Sequence, residues 1–176
     1  DNLPSNGNVL SHAVLQFAKK VDVELFQWIF ENCAFPSSMV DRIVPSISKE
    51  DTNLLSTLVP YDDHAPVVHE PYSLWVIEDK FVGGQTFDFQ AVGIPLVSNV
   101  DNFEKMKLRC LNGTHSALAY LGYLSGFKTI YDAVSNSIFE RFLTVLWSTE
   151  ILPGLTPPPN FVLKEYVNDL LHRYKN

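Results

Sequence analysis

With 176 residues, 46% of them hydrophobic and 19% charged, the chain can bury one sizeable core and is too short to promise two complete domains. A net charge of −7 denies it the clustered Lys and Arg that neutralise phosphates, so nucleic acid is excluded as a partner. Its longest apolar runs, such as residues 142–147, fall far short of the roughly 20 residues that cross a bilayer, which excludes a membrane span.

Residues 2–7 are rich in turn formers. From Val9 to Ile29, apolar residues recur at three and four and predict one helix or two, with Asp22 able to cap the second. Pro36 and the Ser37-Ser38 pair interrupt that pattern, and residues 39–45 read as a strand or extended segment. Residues 46–66 lack a sustained period, as in a loop or a short helix with flanking coil. Residues 67–77 favour extended structure bent at Pro71, Gly83-Gly84 makes a turn, and residues 92–97 form a second extended run. Asp101 or Asn102 is placed to cap a helix over residues 103–124 that ends near Gly126, in the left-handed position favoured at a helix C-terminus. Further helices are predicted over residues 129–146 and, after a proline-rich stretch, 162–174. Trp28, Trp75 and the Phe residues read as core. Cys33 and Cys110 form no CxxC pair, and a chain of this size does not depend on a disulfide scaffold, so a reducing, cytoplasmic setting is expected.

The chemistry concentrates on the helix over residues 103–124. At about 100° per residue, with Lys107 at zero, Glu104 falls near 60°, His115 near 80° and Asn112 near 140°. The same arc carries Leu108, Leu111, Leu118 and Ala119, so the polar group sits in the core-facing side. Burial lowers a lysine's pKa and turns it into a usable base, and an amide and an imidazole beside it can donate hydrogen bonds to an oxygen that shifts between hydroxyl, alkoxide and carbonyl. A lone His or Asn on an apolar face is more often a satisfied core residue; four together make a catalytic group plausible without identifying its reaction.

The run EKMKLRCLNGTHSALAYLG at residues 104–122 resembles the signature helix of the polyol-specific long-chain dehydrogenase/reductase family, which includes mannitol dehydrogenase, fructuronate reductase and tagaturonate reductase. DNLPSNG at residues 1–7, FPSSMVDRIVP at 35–45 and HEPYSLWVIEDKF at 69–81 resemble further family segments, in the family's order. The resemblance implies that Lys107 is the general base in alcohol oxidation and the acid in the reverse direction, while Asn112 and His115 hold the reacting oxygen. It implies no metal, and the scattered His12, His64, His69, His115 and His172 form no HExxH pair. Asn2 and Asp41 match positions that line the substrate pocket, and Glu104 matches one beside the lysine that relays protons. Each also has a structural reading: Asn2 shaping the opening turn, Asp41 pairing with Arg42 or capping a loop, Glu104 favourable at a helix N-terminus.

Two departures stand against the family pattern. Gly83-Gly84 is no GxGxxG fingerprint, and the chain reads Gly84-Gln85-Thr86 where relatives carry Gly-Arg-Pro. The expected fold is therefore mainly α, a helical C-terminal domain of the 6-phosphogluconate-dehydrogenase-like type with a few short strands, and with the Rossmann domain absent from the chain. Residues 1–8 would be the end of the nucleotide-binding half or a linker, and 9–176 a helical substrate domain truncated at both ends. Its expected partners are NAD or NADP, a small sugar alcohol or sugar acid, and its own N-terminal Rossmann domain. The expected reaction moves a hydride between a nicotinamide and a pair such as mannonate and fructuronate; mannitol and fructose are the alternative. A non-catalytic helical binding domain is the alternative of another class, and a hydrolase lacks any recognisable nucleophile elbow.

Overall fold

The apolar spacing between Val9 and Ile29 builds two helices, α1 at Asn6–Val21 and α2 at Val23–Asn32. Asp22 divides them. Its backbone is extended, and its carboxylate accepts the amides of Glu24 at 2.8 Å and Leu25 at 3.3 Å, two of the donors a helix start leaves open. These coordinates are a computed structural model describing residues 2–61, 63–84 and 87–175. The Gln85-Thr86 departure therefore lies outside the described residues. The first turn of α1 lies directly on the chain at residues 35–37. A Cβ on Gly7 would stand 2.3 Å from the Phe35 carbonyl oxygen, and the Gly7 amide donates to Ser37 Oγ at 3.2 Å.

A small sheet follows. β1 (Ser38–Asp41) pairs antiparallel with β2 (Leu74–Glu78), placing Met39 opposite Val76, and β2 pairs in parallel with β3 (Leu96–Val97), placing Ile77 opposite Leu96. β3 is shorter than its apolar run because Gln90–Val92 closes a 3-10 turn first. Alternation along β1 and β2 buries Met39, Leu74 and Val76 and turns Val40 and Trp75 outward. Trp75 is thus not core, and neither is Trp28, which is 58% exposed on α2. Between β1 and β2, α3 (Lys49–Leu58) realises the short-helix alternative. Ser48 and Asp51 form a reciprocal capping box at its start.

The centre of the molecule is one helical run from Asp101 to Leu124, made of α4 (Asp101–Lys107), a π turn (Leu108–Gly113) and α5 (Thr114–Leu124). Asp101 and Asn102 lie inside its first turn and neither caps it; the N-cap position is Val100. At the other end Gly126 takes φ 87°, with its amide on the Tyr123 carbonyl and the Phe127 amide on the Gly122 carbonyl. That paired arrangement is the Schellman closure.

The predicted helix over residues 129–146 is two. α6 (Ile130–Ser135) and α7 (Ser137–Leu146) part at Asn136, whose side chain accepts the Ile138 amide at 2.9 Å. A second π turn (Trp147–Ile151) follows α7, and α8 (Leu163–Tyr174) packs Tyr166, Val167, Leu170 and Tyr174 inward. Phe103, Met106, Cys110 and Leu118 of the central run meet Leu143 and Leu170 in the core. Among the described residues no helix is long and apolar enough to cross a membrane.

Candidate active site

Lys107 closes α4 with 8% of its surface exposed. None of the described residues hydrogen-bonds its ammonium, yet no fully enclosed side-chain nitrogen or oxygen among them lacks a partner. Nζ must therefore reach open space, and Lys107 lines a crevice shared with Asn2, Pro4, Ser38, Met39 and Glu104. Burial pushes the ammonium below its usual lysine range; the nearby Asp41 carboxylate opposes that shift and the Arg173 guanidinium adds to it.

Glu104 stands one turn earlier on α4, also 8% exposed, and accepts the Ser5 amide at 2.9 Å. Desolvation raises its carboxyl above the usual range, against the pull of that hydrogen bond. The crevice thus joins Lys107, Glu104 and Asn2, residues the sequence distributes over two distant segments.

Asp41 is close enough to act on Lys107 by charge but offers no open oxygen. It is 1% exposed, accepts from Arg173 Nη2 at 2.7 Å and Nη1 at 3.3 Å, and accepts from Tyr166 OH at 2.6 Å. Its ion-pair partner is Arg173, from α8, and not the neighbouring Arg42. Arg173 also donates to Glu70 at 2.9 and 2.7 Å and lies 3.9 Å over the Tyr72 ring. Burial raises the Tyr72 phenol to about 12. Glu70, Tyr166 and Arg173 went unnoticed in the sequence. HEPY is the one local signal at Glu70, and nothing local ties it to residue 173.

Asn112 is half-buried in the π turn and His115 exposed just beyond it, and no described residue hydrogen-bonds either side chain. The His115 ring stands 6.3 Å from that of Tyr174 and lines a separate hollow with Leu118, Ala119 and Phe127. A π turn separates Lys107 from Asn112, so the regular α-helical step does not apply between them and the wider turn brings residue 112 back toward the side that residue 107 faces; His115 sits about two turns along the run from Lys107.

The crevice at Lys107 measures about 10 Å³, room for about one water and not for a nicotinamide ring. A larger hollow of about 640 Å³ at the start of α4, lined by residues including Asn99, Asn102 and Phe161, does not include Lys107. The described residues thus line only a small crevice at the lysine. Among them, no three His, Cys, Asp or Glu side chains gather as a metal site.

Comparison with known proteins agrees with the residues of the central run. A family model described as the mannitol dehydrogenase C-terminal domain matches residues 99–176, and one described as the mannitol dehydrogenase Rossmann domain matches residues 1–88. Mannitol 2-dehydrogenase of Neosartorya fischeri is 41% identical and D-mannonate oxidoreductase of Escherichia coli 43% identical, each over all of this chain. The crystal structure of a D-sorbitol dehydrogenase superposes with a TM-score of 0.90 at 36% identity. The ternary complex of Pseudomonas fluorescens mannitol 2-dehydrogenase with NAD and D-mannitol does so at 0.85 and 38%. Both structures cover the whole chain, which spans 36% of the length of each of these relatives.

The match over residues 1–88 overturns the expectation that the Rossmann domain is absent from this chain and would meet it only as an outside partner. That expectation rested on the missing glycine-rich turn. The turn marks one strand-to-helix junction of such a domain, and its other elements carry no such signal. The chain belongs to the mannitol dehydrogenase family.

Proposed function

We propose that the protein carrying this chain is a nicotinamide-dependent oxidoreductase of a sugar alcohol or sugar acid, with Lys107 managing the hydroxyl proton. The observation that carries the reading is Lys107 itself: a buried lysine with no hydrogen-bond partner among the described residues, its pKa depressed, opening on a crevice beside Glu104. In the oxidation direction its neutral amine accepts the proton of the substrate hydroxyl; in reduction its ammonium returns it. Lys, Asn and His accept no hydride, so the nicotinamide, NAD or NADP, supplies that half of the chemistry. Asn112 and His115 donate to the reacting oxygen as its charge develops. Glu104, with its raised pKa, exchanges the lysine's proton with solvent, and Asn2 contributes to the substrate-facing wall. Asp41 acts on the site through its charge on Lys107.

The substrate pair favoured is a hexuronate one, mannonate and fructuronate, supported by the 43% identity to D-mannonate oxidoreductase. Mannitol and fructose form the second reading, supported by the 41% identity to a mannitol 2-dehydrogenase. The test is oxidation of NADH and NADPH by the intact gene product with fructuronate, tagaturonate and fructose, in the presence of a chelator. Turnover that survives chelation and prefers fructuronate is the expected result. Preference for fructose selects the second reading, and no turnover by folded protein overturns both in favour of a non-catalytic binding domain.

A further inference from the structure

The π turn falls between the lysine and the asparagine of the proposed catalytic group, and the fold holds it in place from outside the helix. A turn closed by i→i+5 bonds is rare, and it disturbs the regular pairing of helix carbonyls. Here those carbonyls are taken up by side chains. Trp147 Nε1 donates to the Cys110 carbonyl at 3.1 Å, Thr114 Oγ1 donates to the same oxygen at 2.5 Å, and Tyr174 OH donates to the Leu111 carbonyl at 2.7 Å. Trp147 comes from the second π turn and Tyr174 from the end of α8, and both are at most 5% exposed. Trp147 and Tyr174 each bring a donor from outside the helix to a carbonyl that Thr114 also reaches, so losing either weakens the hold on that carbonyl.

The consequence is angular. In a regular α-helix the five residues from Lys107 to Asn112 would swing the carboxamide about 140° away from the lysine. A wider i→i+5 turn brings residue i+5 back toward the side that residue i faces. None of the described residues hydrogen-bonds the Asn112 carboxamide, so the backbone turn is what aims it.

We infer that Trp147 and Tyr174 are positioning residues: by holding the carbonyls of Cys110 and Leu111 they maintain the π turn that sets Asn112 against Lys107. This rests on the dehydrogenase reading for its catalytic meaning. Tyr174 also lies beside the His115 ring, so α8 bears on both oxygen-holding residues.

The test uses Tyr174→Phe and Trp147→Phe in the intact gene product, each keeping a ring while deleting the donor, with Trp28→Phe on the exposed face of α2 as control. Turnover with the preferred sugar substrate and backbone hydrogen–deuterium exchange are measured together. The expected result is a fall in kcat of about tenfold with KM moved less than about threefold, in protein whose melting profile stays cooperative. Amides of residues 111–115 exchange faster in both variants and not in the control. A kcat within about twofold of the parent in the folded variants, or a KM that rises as far as kcat falls, overturns the inference. Absent turnover in the parent itself would strike the dehydrogenase reading instead. Exchange then decides alone: unchanged protection at residues 111–115 in both variants overturns the positioning role, and faster exchange upholds it. Should Tyr174→Phe fail to fold, Trp147→Phe carries the same decision.

Discussion

Arg173 and Asp41 meet across 132 positions of sequence, Nη2 standing 2.7 Å from Oδ1, and the pair ties the segment matched by the C-terminal domain model to the one matched by the Rossmann model. Their side chains are 7% and 0% exposed. Removing one member of such a pair leaves the other charge buried without compensation, at a cost of about 3–5 kcal/mol. Arg173→Ala is expected to lose that much in urea unfolding, since both Asp41 and Glu70 are then stranded. Asp41→Asn should lose less, because Arg173 keeps Glu70. Equal losses would mean that the two carboxylates do not share the guanidinium as described.

Lys107→Met separates function from stability. Turnover should fall by about 10²–10⁴-fold. The melting temperature should hold or rise, because methionine fills similar space without a buried charge. In the parent, the oxidation rate should climb with pH through the lysine's folded pKa, which lies below 10.5, as the amine becomes neutral. The same depression means that the unfolded state binds more protons in the window between that value and 10.5, so the parent's stability relative to Lys107→Met should increase as pH rises through it. A parent rate flat across this range would remove Lys107 as the base.

Glu104 has the opposite sign. Its folded pKa is raised, so its contribution is present below the ordinary value of 4.5 and lost as pH rises through the folded value. Glu104→Gln retains an acceptor for the Ser5 amide and escapes that loss. Its melting temperature relative to the parent should increase steadily from acid to neutral pH in paired scanning calorimetry. A pH-independent difference would show that burial of the charge is not what shifts the group.

Gly7→Ala should cost about 1–3 kcal/mol, the usual range for overpacking, because the new methyl meets the Phe35 carbonyl oxygen at 2.3 Å and backbone cannot turn aside as a side chain can. Chemical denaturation reads the loss directly. A neutral result would mean that α1 sits further from residues 35–37 than described.

What the chain reveals by local spacing came through intact in several places. Asp22 caps α2, Gly126 closes the central run with a positive φ, and the apolar pattern of residues 162–174 is α8. These follow from sterics and hydrogen bonds among residues at most a few positions apart, which the order of side chains determines directly. The inward placement of Lys107 and Glu104 was legible for the same reason, since both lie on the apolar face of one helix.

The tertiary structure decided the rest. Asn136 divides α6 from α7 without any break in apolar periodicity, and Trp75 faces outward because β2 alternates around buried Leu74 and Val76. The π turn between Lys107 and Asn112 persists with donors from residues 147 and 174, and Asp41 finds its partner in Arg173. The residues that complete these arrangements lie 37 to 132 positions away, joined only when α7 and α8 fold back over the central run. Amino-acid order by itself determined the cap of α2, the close of the central run at Gly126 and which lysine is buried; which carbonyl, carboxylate or ring each polar group meets was decided by packing, because those bonds connect side chains that share no turn of backbone.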